Sequence, residues 1–204
     1  MSKFFDLMEA YARSDADDER QAIEKEVWDT YGVEQAICIH DMSGFSRLTE
    51  KHGIVRYLSM VRHMQIVSKP IIERFGGSVV KFEADNCFAR FPDVVSAIRS
   101  SVSINIAFDA MNLMTTDDLN IYIATGIDFG RIVLINEDGD GEHEDYFGAP
   151  VNNASKLGED IASAGDILVT QAGMDTVPAD AGFTSEPEQF EISSITIQAR
   201  RVHY

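Results

Sequence analysis

Residues 39–48 read IHDMSGFSRL, and the fold turns on how they are read. They close an apolar run, AICIHDM (36–42), whose composition predicts a β-strand. A small-residue turn, Ser43-Gly44, then leads into helix-forming sequence. Asp41 sits near the end of the strand, where burial makes a carboxylate costly unless something answers its charge.

Working outward, residues 46–75 (SRLTEKHGIVRYLSMVRHMQIVSKPIIERF) carry helical periodicity. Pro70 is expected to bend this segment or divide it in two, and Gly76-Gly77 to end it. SVVKFEADNCFARF (78–91) predicts two short strands joined at Ala84-Asp85-Asn86, a hairpin by its turn chemistry. Residues 94–114 return to a helical pattern. LNIYIATGID (119–128) and RIVLIN (131–136) are read as a second antiparallel pair turning at Phe129-Gly130. The acidic run 137–145, EDGDGEHED, is read as a solvated loop. It lacks the sixth-position glycine and twelfth-position glutamate of an EF-hand. GAPVNNASKLGEDIA (148–162) is helical, DILVT (166–170) is a strand, and short strands near 182–187, 190–192 and 195–204 finish the sheet.

Residues 1–34 read as an N-terminal helical segment, with Ser14 or Asp15 capping its second helix, and residues 35–204 as one domain. Hairpins between helices suit an α+β fold of the ferredoxin-like kind: a mostly antiparallel central sheet with helices packed on one face. The signatures GxGxxG, GxxxxGK[ST] and HExxH are missing, so Rossmann, P-loop and zincin readings lack support.

The chain has 204 residues, with 17 Lys+Arg against 34 Asp+Glu and a formal net charge of −17. Such a field repels nucleic acid and anionic lipid. No stretch approaches a membrane span, and the acid-rich N-terminus lacks a secretory core. Cys38 and Cys87 lie in apolar strands and read as buried thiols of a reducing cytoplasm.

In this topology the strand of Asp41 and the hairpin of Asp85 are neighbours in the middle of the sheet. Two carboxylates brought together repel unless protons or cations lie between them. Hard oxygen ligands without clustered Cys or His point to Mg²⁺ or Mn²⁺, and a pair of such ions serves in-line displacement at phosphorus. The turn through Phe45 and Ser46 sets helix N-terminal amides beside them, a seat for a phosphate chain.

Three ordered motifs now resemble one family, the class III nucleotidyl cyclases (adenylyl and guanylyl cyclase catalytic domains). HDMSGFSRL is similar to their D-x-x-G-F-[ST]-x-L turn, and GGSVVKFEADNCFARF to their G-G-x-x-x-K-x-x-[GA]-D hairpin. DYFGAPVNNASKL is similar to their D-x-x-G-x-x-V-N-x-A-x-[RK] segment. The resemblance covers roughly residues 35–202 and implies an adenylate cyclase making 3′,5′-cyclic AMP and pyrophosphate from ATP. It implies two Mg²⁺ or Mn²⁺ ions on Asp41, Asp85 and the main-chain carbonyl of Met42. Lys81 and Asp145 would read adenine, Asn152 orient the ribose, and Phe45 and Ser46 hold the triphosphate through their amides. It also implies a homodimer with sites at the interface, Asp41 and Asp85 coming from one subunit and Lys81, Asp145, Asn152 and Lys156 from the other. No nucleic-acid or membrane partner is implied, and the N-terminal helices are where a separate regulatory protein would act.

The chain departs from that pattern in three places. Lys156 stands where the family has an arginine facing the reacting phosphorus, which keeps the charge but loses the planar fork. FEISSITIQA (190–199) lacks the family's phosphate-binding lysine, with Arg47, Arg131 or Arg200 as substitutes. Ala84 replaces a glycine that is commoner in the hairpin. The first two departures leave open a cyclase fold with little turnover, serving as a nucleotide-binding or regulatory module. A cyclase making a different cyclic nucleotide is a further alternative.

Overall fold

The computed structural model describes residues 3–115, 119–136, 144–192 and 195–204, without the side chains of residues 45–47, 192 and 195. Most of the acidic loop read at 137–145 lies outside the described residues. The order is α1 (Lys3–Arg13), α2 (Asp17–Tyr31), β1 (Gly32–Met42), α3 (Phe45–His52), α4 (Ile54–Arg74), β2 (Ser78–Glu83) and β3 (Asn86–Phe91). There follow α5 (Val94–Asn112), β4 (Ile123–Asn136), β5 (Glu144–Phe147) and α6 (Ala149–Ser155), which runs into a π-helical turn, Lys156–Ile161. β6 (Ile167–Thr170), α7 (Gln171–Met174), β7 (Thr184–Ile192) and β8 (Ile195–His203) complete the described chain.

One sheet holds all the strands in the order β2-β3-β1-β4-β6-β8-β7, with β5 pairing the far end of β4. β4 and β6 run parallel and every other pair is antiparallel. β1 is central and buried on both faces from Ala36 to His40, which is why its sequence is an unbroken apolar run. Side chains alternate across it. Ala36, Cys38 and Met42 join the larger core with Leu48, Met64, Ile98 and Phe108, beneath α3–α5. Ile37 and Ile39 face the other way, against Val80, Ile132, Tyr146 and Ala154 of α6. Asp41 shares their parity and emerges on this second face.

The mixed α+β architecture matches the sequence reading, with four local corrections. Helices pack on both faces of the sheet, since α6 and the π turn cover the side opposite α4 and α5. The pair expected to turn at Phe129-Gly130 is one strand, β4, paired with β1 from Gly32↔Val133 to Met42↔Ile123. Gly130 serves close packing instead: a Cβ there would sit 3.1 Å from the ring of Pro150. Pro70 lies inside α4 on its exposed side, where the carbonyl it frees is open to a donor from solvent, and the break falls at Gly53 (φ 82°). Neither Ser14 nor Asp15 caps α2: Ala16 holds that position, and the Ser14 hydroxyl donates to Glu19 (2.6 Å).

The N-terminal helices rest on the far end of β4, where Phe4 and Val27 bury Ile135. Arg131 ties the same region together, its guanidinium 4.6 Å above the Trp28 ring and donating to the Trp28 carbonyl (3.1 Å).

Candidate active site

β1 ends by passing Met42 and Ser43 into Gly44, whose φ of 100° only glycine adopts cheaply, and α3 starts at once. The Leu48 amide closes the first turn on the Gly44 carbonyl (2.9 Å), so Phe45 and Ser46 fall in the first turn, whose amides have no acceptor within the helix. The side chains of these two residues lie outside the described residues. Met42 buries its side chain in the core, so it can serve a site only through its main chain.

Asp85 stands at the tip of the β2–β3 hairpin. Ala84, before it, takes φ 51°, a left-handed conformation costing about 1 kcal/mol where glycine costs less. The Met42 amide donates to the Asp85 carbonyl (3.2 Å), docking the tip on the end of β1. The Tyr57 hydroxyl of α4 donates to Asp85 Oδ2 (2.6 Å). Asp41, opposite Asn86 in the register, is pushed up to about 7 by burial, then by the charges of Asp85 and Glu159. Burial is also the leading cause of the upward shift of Glu159, on the π turn.

This is a carboxylate site short of positive charge. Asp41 and Asp85 offer hard oxygens with Cys and His remote, a donor set that fits Mg²⁺ or Mn²⁺. Among the described residues no three His, Cys, Asp or Glu side chains converge as a metal cage, so an ion held by Asp41 and Asp85 would need further oxygen ligands. His40 takes no part: it is fully buried on the opposite face, bonding Thr125 (3.0 Å) and Cys38 (3.3 Å). Cys38 and Cys87 are buried free thiols, as expected.

A second cluster forms around Lys81. Its ammonium lies 3.3 Å from Asp145 and 3.6 Å from Glu83, and 5.3 Å from the centre of the Phe88 ring. β5 presents Asp145 and is held by a two-pronged Arg90–Glu144 pair, both bonds 2.9 Å, with Glu144 buried.

Asn152 is exposed on α6, and Lys156 opens the π turn, half-buried and without an ion pair among the described residues. The helix beneath them is anchored by Asn153, which donates to the buried Asp128 (2.9 Å). Asp128 also accepts from the Thr170 hydroxyl and from the Phe129 amide (2.8 Å). Thus Asp41 feels the charge of Asp85, and Lys81 pairs with Asp145, but no hydrogen bond or ion pair among the described residues joins either set to Asn152 or Lys156.

Of the three arginines considered for the phosphates, Arg131 is committed to Trp28, and Arg200 donates to the hydroxyl and carbonyl of Ser185, both 2.8 Å. The Arg47 side chain lies outside the described residues. Sequence reasoning missed Tyr57, Glu159 and the Asn153–Asp128–Thr170 anchor. None has a local signal, because each contact joins residues far apart in the chain.

Similar proteins give this arrangement its context. At 28% identity, the chain matches the adenylate/guanylate cyclase/hydrolase from Silicibacter pomeroyi with a TM-score of 0.67, over 84% of this chain and 96% of that one. The adenylyl cyclase CyaB from P. aeruginosa matches at 20% identity and TM-score 0.69, over 85% and 96%. The catalytic core of a rhodopsin-guanylyl cyclase with converted specificity matches at 19% identity and TM-score 0.69, over 84% and 98%. This is the nucleotidyl cyclase fold. Within it, the three motifs of the sequence fall on the β1–α3 turn, the β2–β3 hairpin and β5–α6. A putative adenylate cyclase 3 from Rhizobium meliloti (strain 1021) is 26% identical over 135 residues, or 66% of this chain. The chain spans about a fifth (22%) of that relative's length. No family model matches.

Proposed function

We propose that this cyclase-fold chain is an adenylate cyclase, converting ATP to 3′,5′-cyclic AMP and pyrophosphate at the interface of a homodimer. The observation that carries the reading is the Lys81–Asp145 pair, 3.3 Å apart. Adenine offers an acceptor at N1 and a donor at N6. Lys81 donates to the first and Asp145 accepts from the second, whereas guanine reverses that pattern.

Asp41 and Asp85 of one subunit hold two Mg²⁺ or Mn²⁺ ions, with the Met42 carbonyl as a further ligand. When bound, the ions neutralise phosphate charge and make the ribose 3′-hydroxyl more acidic. The partner subunit brings Lys81, Asp145, Asn152 and Lys156. Asn152 orients the ribose so that its 3′-oxygen meets the α-phosphorus in line with the departing pyrophosphate. Lys156 faces the charge that gathers there, and the Phe45 and Ser46 amides hold the triphosphate. Catalysis rests on positioning and electrostatics, with no protein nucleophile.

The test incubates the purified chain with Mn²⁺ or Mg²⁺ and each of ATP, GTP, CTP and UTP, separating the products by chromatography. Cyclic AMP from ATP alone, lost in Asp41→Ala, is expected. A different cyclic product would overturn the base assignment and keep the mechanism. A second reading, a nucleotide-binding module with little turnover, draws support from Lys156 and from the commitment of Arg131 and Arg200 elsewhere. Nucleotide binding without product from a folded dimer would favour it.

A further inference from the structure

Tyr57 has no part in the motifs that drew attention to this site. Its ring is 2% exposed in the core beneath α4, yet its hydroxyl reaches the hairpin tip and donates to Asp85 Oδ2 at 2.6 Å. We infer that Tyr57 is a positioning residue for the metal site, fixing the Asp85 carboxylate through Oδ2 so that its orientation toward a cation is set in advance. The inference rests on the reading of Asp41 and Asp85 as metal ligands.

Three features support it. Asp85 follows a left-handed Ala84 at a tight tip, and the backbone there is tethered by the Met42 amide, but that bond leaves the side chain free to rotate. Tyr57 supplies the missing restraint from a helix, and its packed ring cannot follow a wandering carboxylate. In this contact the hydroxyl is the donor and Asp85 Oδ2 the acceptor. A neutral phenol so placed orders the ligand without competing for the ion. Groups that orient metal ligands in this way typically change metal affinity by about 10–100-fold when removed.

The experiment titrates Mn²⁺ alone, then Mn²⁺ with an ATP analogue bearing a methylene bridge between the α- and β-phosphorus. Loss of the free-ion electron paramagnetic resonance signal reports binding. Tyr57→Phe and Tyr57→Met both remove the donor and keep an apolar side chain. The expected result is a Mn²⁺ Kd raised about 10–100-fold in both, with the metal-free unfolding midpoint close to that of the unsubstituted chain. A Kd within twofold of that chain in either variant would overturn the inference. So would failure of both to fold, which would make Tyr57 a core residue first. Asp85→Asn separates the two layers of argument. If it binds Mn²⁺ as well as the unsubstituted chain, the metal-site reading itself is wrong. If it loses binding while the Tyr57 variants keep it, only the role of Tyr57 fails.

Discussion

Asp41 and His40 are adjacent in β1 and face opposite sides of the sheet, and burial drives both toward neutrality. Asp41 is pushed up to about 7 and His40 down to about 4. In the unfolded chain these groups titrate at about 3.9 and 6.5. Between about pH 4 and 7, then, the folded chain holds a proton on Asp41 that the unfolded chain has lost, and stability falls as pH rises. His40 acts in the other direction: as pH falls from about 6.5 through 4, the unfolded chain takes up a proton first and the fold is weakened. Asp41→Asn should therefore give no gain in the metal-free protein below about pH 4 and a gain of about 2 kcal/mol above pH 7, allowing for partial exposure. Urea denaturation in a chelator across that range checks it, and a pH-independent difference would refute the buried-charge account. Lys156 carries a separate prediction. Lys156→Arg restores the planar fork and should raise kcat about tenfold with KM nearly unchanged, because the contact strengthens only as charge develops at phosphorus. Steady-state kinetics decide it, and a change confined to KM would assign Lys156 to ground-state binding.

At the scale of elements, what the sequence disclosed and what it hid have physical causes. β1, the β2–β3 hairpin and α4 were legible because apolar runs, turn residues and helical periodicity are local signals. The continuity of β4 was not, since Phe129-Gly130 looks like a turn until β1 is seen to pair with the strand along its whole length. The positions in the motifs were equally legible, whereas the Tyr57–Asp85 contact and the anchoring of α6 belong to tertiary structure. That anchoring depends on two close approaches. A Cβ on Gly126 would overlap the Ala154 carbonyl and the Gly158 amide, and Asn153 satisfies the buried Asp128. Asn153→Ala should cost about 1–3 kcal/mol by removing a donor from a buried carboxylate. It should also lower kcat, since Asn152 and Lys156 ride on the same helix. Chemical denaturation alongside kinetics measures both, and unchanged stability would show that Asp128 finds another partner.

For the whole molecule, the second face of the sheet is where the proposed dimer would form. α6 and the π turn cover part of it, while Val33, Phe88 and Leu134 remain half-buried beside Lys81 and β5. Among the described residues no helix is long and apolar enough to cross a membrane. A second copy of the chain is the expected cover, and it makes the two residue sets separable. Under the proposed function, Asp41→Ala would disable each site through the subunit that offers metal ligands, and Asn152→Ala through the subunit that orients the ribose. Either homodimer should be nearly inactive alone. Mixed and allowed to exchange, half of the dimers become hybrids, and each hybrid pairs the intact Asp41 of one chain with the intact Asn152 of the other at one of its two sites. Activity should return to about a quarter of that of the unsubstituted protein. Mixtures that remain inactive although subunit exchange is demonstrated by a fluorescence label would place each complete site within a single chain.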